Sequence, residues 1–212
     1  MELLELEKVR AAERLRLARD LHDDLGSRLT HLALVADLAH QDDQPGPAAL
    51  VTLQDGLREA IGSLDEIVWA VDPRRDTLAD LAEYLAATLT TFFQSAGLAC
   101  EIENPVALPA LPVAADARHH LLMAVRETAQ NILKHAAATR VVLRWQCAGG
   151  QFHLTIADNG RGFAPAAITA GDGLRNMRER LSSCGGAVDI QRSPGEGCRI
   201  NLSFATGGKF SP

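Results

Sequence analysis

The stretch RETAQNILKHA, residues 126–136, places several polar side chains along one face of a predicted helix. Glu127, Asn131 and His135 are spaced four residues apart, and Lys134 directly precedes the last of them. Residues four apart on a helix lie on the same face, with Cβ atoms about 6 Å apart. On a pocket wall this face could hold a hydrated magnesium ion and a polyphosphate, because Mg²⁺ prefers oxygen ligands and keeps several waters. An exposed polar helix face explains this segment alone equally well.

A second polar segment lies at the end of a predicted strand. In ADNGRGF (157–163), Asp158 follows the alternating residues of that strand and enters a turn. Its carboxylate can accept a hydrogen bond from an exocyclic amine. Gly160 and Gly162 lack side chains, so the backbone can approach a flat ring closely.

A third segment, AGDGLRNMRER (170–180), has Gly171 and Gly173 immediately before a predicted helix. The amides and dipole of a helix N-terminus favour an anion. Each glycine motif alone is weak evidence, since ordinary turns use the same residues. Three such segments in this order, each at the end of a strand or helix, together predict a nucleotide site.

In this order the three segments resemble the ATP-binding domain shared by sensor histidine kinases, heat-shock chaperone ATPases, type II topoisomerases and mismatch-repair ATPases. The resemblance implies that Asn131 ligates Mg²⁺, that Lys134 meets phosphate and that Asp158 binds the adenine amino group. Glu127 matches the acidic position that polarises the attacking group, and residues 163–173 would form a mobile lid. The implied cofactors are ATP and Mg²⁺. The implied nucleotide-binding residues are Asn131, Lys134, His135, Asp158, Gly160, Gly162, Gly171, Gly173 and Leu174.

Two positions depart from the pattern of that family. Cys198 stands where the family usually has a threonine near the adenine. Asp172 adds a negative charge beside the predicted phosphate site. We therefore expect one weaker polar contact to the adenine, and a phosphate site in which Lys134, Arg161 and the metal offset the charge of Asp172.

Upstream of this domain the sequence predicts two antiparallel helices. The first spans about residues 2–41 and is broken by QDDQPGP (41–47), and the second spans about residues 48–71. The second helix repeats apolar residues every seven positions, at Leu50, Leu57, Leu64 and Val71, with Leu53, Ala60 and Ile67 interleaved. This is the pattern of a coiled coil or helix bundle. One hairpin cannot bury such a row on both sides, so we expect a dimeric four-helix bundle.

The chain changes character after VDPRRDT (71–77), a predicted hinge in which Pro73 interrupts the helical backbone. Further on we predict helices at about 77–96, 113–137 and 174–184, a short strand near 98–103, and two β-hairpins at 140–158 and 187–204. The predicted fold class is therefore α+β. A helical hairpin that forms the dimeric bundle (1–72) precedes an ATP-binding domain (76–212), which by resemblance is an α/β sandwich of the Bergerat type.

The first predicted helix contains the segment that separates histidine kinases from other proteins with this ATP-binding fold. ERLRLARDLHDDLGSRLTHL (13–32) resembles the phosphoacceptor helix of kinases whose partners are response regulators with helix-turn-helix DNA-binding domains. EIVWAVDPRRDTLADLAEYL (66–85) resembles a subset of the same kinases. The resemblance implies that His22 is phosphorylated and that Asp23 fixes its tautomer. A neutral imidazole is nucleophilic near neutral pH, because its pKa lies near 6.5. Without an ATP-binding domain, His22 and Asp23 would more simply be solvated residues beside the bundle.

The predicted function is a two-component sensor histidine kinase core. It would autophosphorylate on His22 as a homodimer and pass the phosphoryl group to an aspartate of a response-regulator receiver domain. One alternative is a catalytically impaired dimeric scaffold, which Cys198 and Asp172 favour slightly. The other is a chaperone-like or anti-sigma ATPase on the same fold, which would not need the His22 helix. Ser27 replaces the glutamine on which the family's phosphatase activity often depends, so we expect weak dephosphorylation of the partner.

Composition restricts the partners and the compartment. A net charge of −6 argues against a direct nucleic-acid partner or an anionic membrane surface. The four cysteines are widely spaced and no apolar run spans a bilayer, so we expect a reduced, cytoplasmic chain. The adjacent His119 and His120 point in different directions on a helix, so we expect them to be solvated or capping rather than metal ligands. Because the sequence opens within a predicted helix, we expect it to be the catalytic part of a longer sensor, which can be membrane-attached.

Overall fold

In the computed structural model the chain divides into two compact units, residues 1–74 and residues 75–212. The structure describes residues 12, 25–26, 29–30, 32–37, 47–103, 107–162, 172–193 and 195–206. Several predicted site residues lie outside these ranges, namely His22, Asp23, Ser27 and Gly171, and so does most of the predicted lid. In the part of the chain that is described, no helix has both the length and the apolar character needed to cross a membrane.

The first unit is helical. Its described residues before position 38 are helical, and helix α1 spans Pro47–Val71, in agreement with the predicted second helix. A Cβ atom added to Gly56 of α1 would overlap the side chain of Leu32 in the first helix. The two residues lie at similar distances in sequence on either side of the predicted break at 41–47. The contact therefore has the register of an antiparallel hairpin.

One apolar row of α1 is about half exposed in the part of the chain that the structure describes. Leu50, Leu57 and Leu64 are 52%, 53% and 48% exposed, and Ile61 beside them is 55% exposed. Ala60, on the interleaved row, is buried. Contiguous apolar surface of this kind marks an interaction site more often than a solvated face. Among the described residues the two rows of the heptad pattern therefore differ, because Ala60 is buried and Leu53 half-buried whereas Leu50, Leu57 and Leu64 are exposed.

The second unit begins with a well-capped helix, α2 (Leu78–Ser95). Thr77 accepts a hydrogen bond at its side chain from the Asp80 amide (3.2 Å), and the Asp80 carboxylate accepts one from the Thr77 amide (3.2 Å). This reciprocal capping box satisfies two amides that the helix itself leaves unpaired. Its apolar residues recur at steps of three or four and are buried, namely Leu78, Leu81, Ala82, Leu85, Leu89 and Phe93.

Five strands form one mixed sheet in the order β1-β2-β3-β5-β4. The strands are β1 (Ala99–Ile102), β2 (Arg140–Ala148), β3 (Gln151–Asp158), β4 (Ala187–Ser193) and β5 (Gly197–Ala205). Both predicted hairpins are confirmed, because β2 pairs antiparallel with β3 and β4 with β5. Two further pairings join them to the rest, the antiparallel β3–β5 pair and the parallel β1–β2 pair.

The helices pack on one face of this sheet. Helix α3 (Ala115–Asn131) continues into a π-turn (Ile132–Ala136), and α4 (Asp172–Ser183) packs against α3. Along β2, β3 and β5 buried residues alternate with half-buried or exposed ones, as expected when one face is covered. A helical unit followed by an α/β sandwich is the predicted fold class, which is confirmed.

The two adjacent histidines were predicted to be solvated or capping, and the solvated role is wrong for His119, which is only 8% exposed. The N-terminal half of α3 is enclosed on most sides, with Ala117, Arg118, Leu121 and Leu122 also buried. His119 and Arg118 are therefore the buried polar residues of this half, whereas Asp116 and His120 are half-buried. Among the described residues, no group of three or more His, Cys, Asp or Glu side chains could hold a metal ion.

Candidate functional site

The first component of the candidate site is a pair of polar side chains at the C-terminal end of α3. Asn131 Nδ2 donates a hydrogen bond to Glu127 Oε1 at 3.0 Å, and both side chains are half-buried. The predicted four-residue stacking of these two residues is thus realised as a direct contact. The amide nitrogen of Asn131 is used in the hydrogen bond to Glu127, so the side-chain carbonyl oxygen of Asn131 remains as a possible metal ligand. Mg²⁺ prefers oxygen ligands of this kind.

Directly after Asn131 the helix widens into the π-turn Ile132–Ala136. Single π-helical turns are rare in proteins overall, but those that occur are often found at functional sites. Lys134 and His135 lie in this turn with exposed side chains, and Ala137 closes it in the left-handed conformation (φ 51°). The predicted common face of Glu127, Asn131 and His135 assumed α-helical spacing throughout. That spacing ends at Asn131, and the structure brings together the first two of the three.

The second component is the carboxylate of Asp158 at the end of β3. It is buried, at 8% exposure, and Oδ1 accepts a hydrogen bond from the Gly160 amide at 2.8 Å. Burial raises the pKa of Asp158, while backbone hydrogen bonds at Gly160 and Cys198 lower it less strongly. Cys198 lies directly opposite Asp158 in β5 and is itself buried. A buried carboxylate with unused acceptor capacity is suited to a ligand that donates a hydrogen bond.

The turn that follows Asp158 packs against the π-turn at the end of α3. A Cβ atom on Gly160 would lie 2.8 Å from the carbonyl carbon and the Cβ of Ala136, so only glycine fits this approach. Arg161 donates from its amide to the Ala136 carbonyl at 2.8 Å and from Nε to the His135 carbonyl at 2.7 Å. Gly162 follows with φ of 60°. The end of β3 and the end of α3 are therefore held side by side.

Asn159 holds this turn and was not among the site residues predicted from the sequence. Its Oδ1 accepts hydrogen bonds from the amides of Thr139 (3.0 Å) and Arg140 (2.9 Å), and its Nδ2 donates to Thr139 Oγ1 (3.0 Å). One carboxamide thus ties the start of β2 to the end of β3. The Asp-Asn-Gly sequence predicts only the turn, because the partners of Asn159 lie 19 and 20 positions earlier in the chain.

The third component is the first turn of α4. A Cβ atom on Gly173 would overlap the Glu127 carboxylate, at 2.9 Å from its Cδ. The helix N-terminus therefore approaches the Glu127–Asn131 pair directly, and the next residue, Leu174, is half-buried. The three predicted segments thus converge at the end of α3, the end of β3 and the start of α4.

Gly197 supports the site from β5, and its replacement gives a test of this packing. It has φ of 81°, and a Cβ atom there would overlap the Asp158 carbonyl, 2.9 Å from its carbon. We expect Gly197→Ala to lower the free energy of unfolding by about 2 kcal/mol, because strain and overlap add. The measurement is denaturant unfolding followed by circular dichroism.

Gly195→Ala is the matched control. Gly195 lies in the same hairpin with φ of 82°, but a Cβ atom there meets nothing within 4 Å. The free energy of unfolding of this variant should fall only by the cost of placing an alanine at a positive φ. Equal losses in the two variants would mean that the contact between Gly197 and Asp158 contributes nothing.

Two family models match, "Histidine kinase" over residues 13–76 and "Histidine kinase-, DNA gyrase B-, and HSP90-like ATPase" over residues 116–207. The chain belongs to the sensor histidine kinase family. The resemblance inferred from the sequence is therefore confirmed, for the helical part as well as for the ATP-binding domain.

Curated relatives of this chain include the nitrate/nitrite sensor protein NarQ of Escherichia coli, which is 30% identical over 200 residues, covering 91% of this chain and 34% of that protein. The sensor histidine kinase LnrJ of Bacillus subtilis is 26% identical, covering 93% of this chain and 49% of that protein. The chain thus spans half or less of the length of these two relatives. The histidine kinase domain of the Erythrobacter litoralis EL346 blue-light activated kinase has the same fold, with a TM-score of 0.55, 16% identity and coverage of 93% and 94% of the two chains.

Proposed function

We propose that the chain is a kinase core that phosphorylates itself on His22 with ATP and then phosphorylates an aspartate of a response-regulator receiver domain. The observation that carries the proposal is the junction at which the Glu127–Asn131 pair meets Gly173 at the start of α4. The amides and dipole of a helix N-terminus favour an anion, and the amide oxygen of Asn131 offers a ligand to the Mg²⁺ that accompanies a polyphosphate. Membership of the histidine kinase family through residues 13–76, which include His22, supports this residue as the phosphoacceptor.

In this proposal the residues of the site have distinct roles in binding the nucleotide and in catalysis. Asp158 accepts from the adenine amino group, Asn131 offers its amide oxygen to Mg²⁺, and Lys134 contacts phosphate. Glu127 orients Asn131 through their hydrogen bond and polarises the attacking group. The ion, when bound, neutralises charge on the phosphate oxygens. The remaining proposed contacts are His135, the glycines at 160, 162, 171 and 173, and Leu174.

The chemical step takes place at the imidazole of His22. One ring nitrogen attacks the γ-phosphorus of ATP and forms a P–N bond. The bond between the γ-phosphorus and the oxygen that bridges it to the β-phosphate breaks, and ADP leaves. Asp23 accepts a hydrogen bond from the other ring nitrogen, which keeps the attacking lone pair available. Most of the acceleration comes from positioning and charge neutralisation.

The proposal requires a homodimer and a moving domain. The half-exposed row Leu50, Leu57 and Leu64 supports dimerisation through the 1–72 domain, since a second copy would bury it. The 76–212 domain would carry the nucleotide to His22 by pivoting near Asp72–Pro73. We place this catalytic part in the cytoplasm, where ATP and receiver domains occur, with a parent sensor that can be membrane-attached.

Incubation of the purified chain with [γ-³²P]ATP and Mg²⁺ tests the proposal directly. We expect covalent label that is lost in acid and stable in alkali, as a phosphoramidate requires. Label on serine, or ATP hydrolysis without covalent label, would instead identify a non-kinase ATPase. A chain that neither hydrolyses ATP nor becomes labelled would be a dimeric scaffold.

A further inference from the structure

Arg118, in the first turn of α3, is a charged side chain that is completely buried, with 0% exposure. Its Nη1 donates a hydrogen bond to the backbone carbonyl of Arg75, 43 residues earlier in the chain. A buried charge is costly unless it is hydrogen-bonded, and an arginine cannot lose its proton to avoid that cost. None of the roles proposed for the nucleotide site uses this residue. Its burial therefore points to a role at the segment it contacts.

That segment is the start of the second unit, and it is held by more than Arg118. The Leu78 amide donates to the Leu111 carbonyl at 2.8 Å, and the Val113 amide donates to the Asp76 carbonyl at 2.7 Å. An isolated antiparallel bridge lies between these two hydrogen bonds. Residues 75–78, residues 111–113 and Arg118 together form what we call the linker anchor.

The residues immediately before the anchor are held differently. The Arg74 amide donates to Asp72 Oδ1 at 3.0 Å, and the Arg74 guanidinium pairs with the same carboxylate at 2.9 Å. The Arg74 side chain is 85% exposed and that of Asp72 15%. This ion pair joins residues only two positions apart. The carbonyls of Arg75 and Asp76, in contrast, accept hydrogen bonds from Arg118 and Val113, which lie 43 and 37 positions further along the chain. The Arg74–Asp72 pair is therefore a local contact, whereas the contacts of the anchor are long-range.

We propose that Arg118 is a positioning residue that fixes the linker to the nucleotide-binding domain and confines the pivot to residues 72–74. This inference rests on the proposed kinase function. Arg118 and Glu127 are nine residues apart on one continuous α-helix, so roughly 14 Å of rigid rod joins the anchor to the Glu127–Asn131 pair. Without the anchor, residues 75–78 become part of a longer flexible linker.

A longer linker has a defined kinetic consequence. The nucleotide would occupy a larger volume around the helical domain, so its effective concentration at His22 would fall. The affinity for nucleotide would not change, because Arg118 does not belong to the proposed nucleotide site. A loss of rate at saturating ATP with an unchanged KM is therefore the signature of the anchor.

The test uses the full chain with Arg118→Leu, which removes the donor, and Arg118→Lys, which keeps one donor and the charge. Arg144→Leu is the matched control, because the Arg144 side chain is 53% exposed on the sheet. Amide hydrogen exchange is measured at Leu78 and Val113 in the anchor, with Leu154 and Leu202 as sheet references. The initial rate of autophosphorylation is measured over a range of ATP concentrations.

We expect Arg118→Leu to speed exchange at Leu78 and Val113 at least tenfold relative to the sheet amides. We expect the labelling rate at saturating ATP to fall roughly tenfold, with KM within about twofold of the unsubstituted chain. The exchange and labelling rates of Arg118→Lys should lie between those of Arg118→Leu and those of the unsubstituted chain. The rates of Arg144→Leu should match those of the unsubstituted chain. Unchanged exchange at the anchor, or equal acceleration at Leu154 and Leu202, would overturn the role of Arg118.

The two proposals fail in different ways. If the unsubstituted chain is not labelled by ATP, the kinase function is wrong, while the exchange data still decide whether Arg118 holds the anchor. If the unsubstituted chain is labelled but Arg118→Leu raises KM or leaves the rate unchanged, the kinase function stands and the positioning role is wrong.

Discussion

Replacement of His22 by alanine should abolish the acid-labile, alkali-stable label while ATP still binds with unchanged affinity. The physical reason is that alanine has no lone pair to attack phosphorus, whereas the proposed nucleotide contacts all lie between residues 127 and 174. The effect should be complete within the sensitivity of the label. It is measured by phosphorylation with [γ-³²P]ATP alongside equilibrium binding of ATP to the same preparation.

His31→Ala is the matched control, because His31 is a second histidine of the same predicted helix and should be dispensable. Persistent acid-labile label on the His22→Ala chain would place the phosphoacceptor elsewhere. Mixed dimers of His22→Ala and Asn131→Ala chains add the direction of transfer. In such a dimer only the His22→Ala protomer has a complete nucleotide site, so label on its partner means transfer between protomers.

Those parts of the fold that follow local periodicity could be predicted from the sequence. The heptad row of α1 and the alternating residues of β2 and β3 repeat with the period of their own element, so each repeat shows which face is apolar. The bounds of α1, predicted at 48–71, are observed at Pro47–Val71 for this reason. The hairpin turns could also be predicted from their own residues, since their glycines adopt the positive φ values that other residues rarely tolerate.

Features that depend on distant partners could not be predicted in the same way. The π-turn at Ile132–Ala136 is followed by a left-handed residue, and the Ala136 carbonyl accepts from Arg161, which is 25 positions further along the chain. The parallel pairing of β1 with β2 and the burial of Arg118 also join residues about forty positions apart. No local pattern encodes such a contact, because the partner lies on another element.

The departure at Cys198 has a physical consequence that the structure makes specific. Cys198 faces Asp158 across the β3–β5 pair, and its backbone lowers the pKa of that carboxyl through a hydrogen bond. This contact does not depend on the side chain at position 198. A cysteine in place of the family's threonine therefore removes at most a hydroxyl and leaves the support of Asp158 by the main chain intact.

Replacement of Asp158 by asparagine should weaken adenine-nucleotide binding by about 10- to 100-fold. A hydrogen bond to a charged group is worth about 1.5–3 kcal/mol, and the asparagine also turns an amide donor toward the adenine amine. Labelling at subsaturating ATP should fall by a similar factor. Asp189→Asn is the control, since Asp189 is an exposed carboxylate on β4. The measurement is titration calorimetry with ATP and Mg²⁺, and unchanged affinity would remove Asp158 from the site.

The same variant separates binding from stability through pH. Burial raises the pKa of Asp158 in the folded chain, so the folded state holds this proton more tightly than the unfolded state. Asp158 therefore contributes stability at low pH that is lost as the pH rises through the folded pKa. At neutral pH, Asp158→Asn should thus unfold at a higher denaturant concentration than the unsubstituted chain, although it binds nucleotide less well.

The raised pKa also affects nucleotide binding. As the pH is lowered, the affinity of the unsubstituted chain for adenine nucleotide should begin to fall at a higher pH than it would with an ordinary carboxyl group, because only the ionised form of Asp158 accepts a strong hydrogen bond from the amine. A variant that loses both affinity and stability at neutral pH would show that Asp158 mainly holds the β3–β5 pair together.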